Sequence, residues 1–238
     1  MSRERLDKIL ASQNIASRSD AGAMIRRGAV AVNGGIVKKS DFKVDTQTDE
    51  VVVNGKVLNI KEFLYLMMNK PSGVLSAARD SRASTVIDLL PQELRRRGLF
   101  PAGRLDKDTE GLLIITDDGA FAHRMLAPKS HVFKRYEAVL AAPVSAGDIA
   151  MFEKGVELSD MTCLPAELTV LREEEHPLVL VKIREGKFHQ IKRMFLALNN
   201  EVLKLKRVQI GELKLDEALE PGAVRELEQD ELGFVFER

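Results

Sequence analysis

The sequence predicts an α+β chain: a small N-terminal α/β domain over residues 1–60, then a domain over 61–238 built on a mixed or antiparallel sheet. Three observations predict it. Residues 1–60 carry two short segments of helical period followed by two Asn-Gly hairpin signals. From Glu62 onward, strand-length apolar runs dominate, and helical stretches fall between them without strict alternation. No glycine fingerprint follows a strand, which disfavours a doubly wound nucleotide-binding sheet. With 238 residues and 45% hydrophobic content, the chain has enough apolar material for a core in each part.

In RLDKILASQ, Leu6, Ile9 and Leu10 recur at i, i+3, i+4 and so share one face of a helix. Ser17 is placed to cap a second helix, with Asp20 three residues on, and Ala21, Met24 and Ile25 repeat the apolar spacing. Gly28 stands where a helix-terminating glycine belongs. Val30 and Val32 alternate before Asn33-Gly34, and Val51 and Val53 precede Asn54-Gly55; both dipeptides specify type I′ hairpin turns.

FLYLMMNKPSG reads as a strand buried on both faces that ends in a Pro/Gly turn. STVIDLLPQELRRRG reads as a short helix with Val86, Leu89 and Leu90 inward. A strand at Leu112–Thr116, a turn at Asp117–Gly119 and a short helix through His123 and Leu126 follow. Further strands are expected at 134–140, 166–171, 178–184 and 202–208, and helices near 146–154 and 189–198.

The chain has 36 basic and 36 acidic residues, but they are not evenly spread. Residues 1–45 hold nine Lys/Arg against five Asp/Glu, and residues 182–207 hold eight against two, whereas 212–238 hold three against nine. Two basic zones balanced by an acidic end are an asymmetry to test for nucleic-acid binding, although basic surface patches are common without that role. Cys163 is the only cysteine, which excludes an internal disulfide and a cysteine-rich zinc site; the four histidines do not fall at metal-ligand spacing. MSRERLDK lacks the apolar centre of a signal peptide, and no run approaches membrane-spanning length.

Three stretches could carry chemistry. In FPAGRLDKDTEGLLIIT, Asp106 lies in a loop feeding a strand, between Arg104 and Lys107, two cations close enough in sequence to keep a carboxylate ionised. An oriented carboxylate serves as nucleophile or base, whereas an ordinary loop aspartate only caps a turn; Asp108 and Glu110 offer a second acid for a glycosidase-like pair. In REGKFHQIKRMFLALNN, Ile191, Met194, Phe195 and Leu198 share one helix face, and His189, Lys192 and Arg193 share the opposite one. That basic face is either solvated or supplies a cation to a carboxylate or phosphate. Tyr136 in KRYEAVL is one of only two tyrosines, and it is either a packing residue or a stacking surface.

RLDKILASQNIASRSDAGAMIRRGAVAVNGGIVKKSDFKV resembles the S4 RNA-binding domain across about forty positions. After it, NKPSG, AGRLDKDTEGLLIITDDG, KRYEA and EGKFHQIKRMF, in that order, closely resemble the RsuA/RluB-type pseudouridine synthases. The resemblance runs along nearly the whole chain, and its layout is most similar to the RsuA branch, which acts on small-subunit ribosomal RNA. It implies an isomerase that turns a uridine of ribosomal RNA, 16S in preference to 23S, into pseudouridine. Asp106 is then the catalytic carboxylate. Arg104 holds the RNA or the flipped nucleotide, Tyr136 packs against uracil, and Lys192 pairs with Asp106, with Arg193 as the alternative cation. Arg5, Lys8, Arg18, Arg26, Arg27 and Lys38 are the expected RNA-gripping residues of the first domain. The resemblance implies no cofactor and no metal, and a cytoplasmic monomer whose partner is ribosomal RNA, free or in an assembling small-subunit particle. A non-catalytic RNA-binding or ribosome-assembly factor, and a hydrolase that releases free uracil, are the competing readings.

Overall fold

The computed structural model, which describes residues 3–96 and 98–237, groups into two compact units. One runs through Leu64 and includes Pro91–Leu99; the other comprises Tyr65–Leu90 and the chain from Phe100.

The first unit contains β1 (Arg3–Arg5), α1 (Leu6–Ser12), α2 (Arg18–Arg26), β2 (Val30–Val32), β3 (Gly35–Ile36), β4 (Lys43–Asp45), β5 (Val51–Val53) and β6 (Lys56–Val57). Its strands form two antiparallel sheets, β1-β4 and β3-β2-β5-β6. The helical stripe Leu6, Ile9, Leu10, Ala21 and Ile25 is fully buried against Val30, Val44 and Val51, so helical period and strand alternation meet in one core. Ser17 caps α2 by accepting from the Asp20 N–H at 3.2 Å. Asn33 and Gly34 (φ 50° and 78°) and Asn54 and Gly55 (φ 50° and 79°) supply the paired positive φ values that the two tight hairpins require. The later segment joins this unit through Asn14 Nδ2, which donates to Gln92 O at 2.9 Å, and through Arg96, which donates to the carbonyls of Lys61 and Glu62.

The second unit contains β7 (Tyr65–Lys70), β8 (Phe100–Ala102), β9 (Glu110–Thr116), α3 (Gly119–Leu126), β10 (Lys134–Leu140), α4 (Ala146–Lys154), β11 (Glu167–Arg172), β12 (Leu178–Ile183), α5 (Gln190–Ala197), β13 (Val202–Ile210), β14 (Leu213–Lys214), β15 (Val224–Glu226) and α6 (Glu231–Phe234). The sheet runs β11-β12-β10-β13-β9-β7-β15, with β8 on β9 and β14 on β13; only β9 and β13 pair in parallel, so the sheet is mixed. Where they meet, Gly111 (φ +97°) approaches so closely that a Cβ would stand 2.2 Å from Arg207 O, and no other residue fits. Among the described residues no helix is long and apolar enough to cross a membrane.

One expected element differs. Residues 84–90 form turns, not a helix, and a single 3-10 turn follows at Gln92–Leu94. Asp88 Oδ2 accepts from both the N–H and the hydroxyl of Thr85, at 2.8 and 2.9 Å, and this closes a local turn in place of a helical one. The β-branched run Thr85-Val86-Ile87 and the break at Pro91 oppose a helix as well. Val86 and Leu90 are buried as expected, but Leu89 is exposed.

Candidate active site

The loop that carries Asp106 is fixed by hydrogen bonds from the far end of β7. Lys70 is fully buried, and its Nζ donates to the carbonyls of Pro71, Lys107 and Thr109 at 3.0, 3.1 and 2.8 Å. The Gly73 N–H donates to Lys107 O at 2.8 Å, while the Ser76 hydroxyl donates to Leu105 O and accepts from the Leu105 N–H. Within the loop, the Thr109 N–H donates to Asp106 O at 3.1 Å and closes the turn that leads into β9. Burial pushes the Lys70 ammonium down to about 8, against a partly offsetting pull from Asp108, Glu110 and Asp106. A buried cation that donates to three carbonyls leaves the loop little freedom.

The second wall is the start of α5, where His189 takes a left-handed conformation (φ 47°) just before the helix. Gln190 braces this turn: its Oε1 accepts from the Lys187 N–H, and its Nε2 donates to Glu185 at 2.8 Å. His189 Nε2 lies 3.6 Å from Asp106 Oδ1, and Lys192 Nζ lies 3.7 Å from Asp106 Oδ2. Lys192 is held more tightly by Asp108, donating to both of its carboxylate oxygens at 2.6 and 2.7 Å. That bond is the main cause of the lowered pKa of Asp108. Arg193 pairs instead with Asp160.

Tyr136 on β10 forms the third wall. It is largely buried, with the Arg207 guanidinium 6.0 Å from its ring centroid. Arg104, Asp106, Thr109, Tyr136, Lys187 and His189 line one cleft. Asp106 is therefore a partly exposed carboxylate with a lysine and a histidine at one side, in a cleft bordered by an aromatic ring.

The side chains nearest the Asp106 carboxylate, His189 and Lys192, come from the start and first turn of α5 and not from its own loop. Among the described residues, Arg104 and Lys107, its near neighbours in sequence, form no ion pair with it. A turn points successive side chains in different directions, so adjacency along the chain did not produce contact. Asp108 serves as the acceptor for Lys192. Lys70 and Thr109 were not singled out by sequence reading. The available signal for Lys70 was a lysine closing an apolar run directly before Pro-Ser-Gly. No group of three or more metal-ligating side chains occurs among the described residues.

In the first unit the six expected RNA-gripping cations fall into two sets. Arg5 is bidentate to the buried Asp7 at 3.0 and 2.8 Å, Lys8 pairs with Glu4 at 2.8 Å, and Arg18 stands 3.7 Å from Asp7. The Arg5 bond is the first cause of the lowered pKa of Asp7. Arg26, Arg27 and Lys38 are exposed and make no ion pair among the described residues.

A family model described as RNA pseudouridylate synthase matches residues 64–197, and one described as S4 domain matches residues 4–51. A Bacillus subtilis protein named as an uncharacterised RNA pseudouridine synthase, YtzG, is 46% identical across 98% of both chains. The Vibrio cholerae ribosomal small subunit pseudouridine synthase A is 41% identical across 98% of this chain and 99% of its own. A crystal structure described as pseudouridylate synthase superposes with a TM-score of 0.67 at 38% identity, over 98% of this chain and 99% of the other.

Proposed function

The chain belongs to the RNA pseudouridylate synthase family and is an isomerase with an S4 domain, and from that premise we propose that it converts one uridine of ribosomal RNA to pseudouridine, with 16S RNA as the favoured substrate and Asp106 as the catalytic carboxylate. The choice of 16S over 23S RNA is supported by the likeness to the Vibrio cholerae small-subunit synthase along nearly the full chain. The catalytic assignment rests on one observation: Asp106 and Tyr136 border a single cleft, with His189 and Lys192 within 4 Å of the carboxylate.

The chemistry follows from that arrangement. A stacked or paired uridine has to leave the RNA to reach a cleft, at a cost of roughly a few kcal/mol that stacking and phosphate contacts offset. The N1–C1′ bond then breaks with its electron pair on uracil, and positive character develops at C1′. The Asp106 carboxylate stabilises or captures that carbon. Uracil stays in the cleft, turns, and forms the C5–C1′ bond; C5 loses a proton and N1 gains one, so product and substrate are isomers and no external energy source is needed. Tyr136 offers an apolar wall that holds the detached ring and keeps water from the sugar. His189 and Lys192 hold the carboxylate in position, and Arg104 at the cleft wall contacts the RNA from which the nucleotide leaves.

Asp106→Asn tests this directly. Pseudouridine formation on ribosomal RNA transcripts falls by at least about a thousandfold, while RNA affinity stays within a few-fold of wild type. Pseudouridine made at an undiminished rate by the variant overturns the assignment of Asp106. Mapping pseudouridines in both ribosomal RNAs of cells lacking the protein identifies the substrate, and a site lost from 23S RNA alone overturns the 16S preference.

A further inference from the structure

Two buried side-chain polar atoms lack a hydrogen-bond partner among the described residues: Thr109 Oγ1 and Arg207 Nη2. Arg207 is not among the residues that line the cleft, but Thr109 is. Thr109 is 2% exposed, and both of its backbone groups are engaged, the N–H with Asp106 O and the carbonyl with Lys70 Nζ. Its side chain is thus held in fixed register with Asp106. A buried hydroxyl with nothing to bond is destabilising, and the isosteric valine carries no such cost. The hydroxyl makes no hydrogen bond among the described residues, and Thr109 lines the cleft that Asp106 and Tyr136 also line.

We propose that Thr109 is a substrate-binding residue whose hydroxyl hydrogen-bonds the uracil of the extruded uridine, an inference that rests on the pseudouridine synthase reading. Uracil brings two carbonyl acceptors and the N3–H donor into the cleft, and after it has turned and rejoined through C5 it also presents N1–H. A fixed ammonium can only donate, and a carboxylate can only accept. A hydroxyl does both and reorients by rotation about its own C–O bond, so one threonine can serve the base before and after the turn. The free enzyme's unmet hydrogen bond is completed when the base arrives.

Thr109→Val and Thr109→Ser in the full-length chain test this against the wild type. Thr109→Val leaves the melting temperature unchanged or raised, and lowers the single-turnover rate constant on 16S RNA transcript by about 10- to 100-fold. Thr109→Ser keeps the rate within a few-fold of wild type. A Thr109→Val enzyme as fast as wild type overturns the proposal, as does a drop of several degrees in melting temperature that Thr109→Ser restores together with activity, because that pattern marks a structural hydroxyl. A valine penalty that vanishes when the mapped target carries 2′-deoxyuridine moves the contact to the ribose and also overturns it. A wild-type enzyme that makes no pseudouridine in any ribosomal RNA sinks the underlying reading, whereas fast Thr109→Val on a productive wild type sinks only the role of Thr109.

Discussion

Two sets of cations, one in each unit, are held in opposite ways. In the first, Arg26, Arg27 and Lys38 are exposed and form no ion pair among the described residues. In the second, Lys70 is fully enclosed and donates to three carbonyls, Lys192 is gripped by Asp108, and Arg207 donates its Nε–H to Leu112 O at 2.8 Å. Phosphates are recognised by charge over a broad surface, and exposed cations suit such recognition. The proposed bond-making at C1′ needs a carboxylate placed to within a fraction of an ångström, and a set of internally bonded cations suits that demand. On the proposed reading, affinity falls to the first unit and precision to the second.

Disrupting the rigid set should have the largest effect. Lys70→Met leaves the carbonyls of Pro71 and Thr109 without that donor and loosens the Asp106 loop. We expect about a hundredfold loss in single-turnover rate with RNA affinity nearly unchanged, and a stability loss of about 1–3 kcal/mol in urea titration. A variant with an intact rate would show that the loop holds its shape without the lysine.

Charge reversal of the exposed set comes next and has the inverse signature. Arg26→Glu with Arg27→Glu weakens RNA binding and flattens the log affinity against log salt plot by roughly 1.5–2 units, while the rate at saturating RNA is retained. Salt slopes that match wild type would make α2 an ordinary solvated helix face.

The smallest effect is in pH. Lys70 and Lys134 are both lowered from the ordinary 10.5 to about 8 in the fold, in each case first by burial and, for Lys134, next by the Arg207 charge. Between about 8 and 10.5 the unfolded chain holds more protons on these lysines than the folded one, so their contribution to stability rises with pH across that window. Below it both states are protonated and the contribution is flat. Lys134→Met removes one share of the rise, read as a shallower climb in urea midpoint from pH 8 to 10 than in wild type; parallel profiles would refute it.

Much of the architecture was legible because local signals and tertiary demand agreed. The stripes of α1 and α2, the Asn-Gly turns, the alternation in β10 and the span of α4 follow from period and capping chemistry alone. What escaped was short or nonlocal. β1, β4, β8, β14, β15 and α6 span two to four residues each, too few to show a period. The stretch at 84–90 has helical spacing of Val86, Leu89 and Leu90, but the Thr85–Asp88 hydrogen bonds and Pro91 direct it into turns. At the site, Asp106 and the basic face of α5 were both apparent in the sequence. The contact of Asp106 with His189 and Lys192, and the absence of one with Arg104 and Lys107, arise from chain path, which no spacing rule encodes. Lys70 escaped for a further reason: a lysine at the end of an apolar run reads as a solvent-facing boundary, and only three converging carbonyls show why it is inside.

Pro91–Leu99 belongs to the first unit although the chain on both sides of it belongs to the second. The gene therefore cannot be divided into two cassettes by one cut after the hairpins. A truncation starting near residue 61 would strand that ribbon without its neighbours, and a chimera that imports another RNA-binding module would have to import or redesign the ribbon too. The S4-type unit is in this sense threaded through the reading frame of the synthase unit.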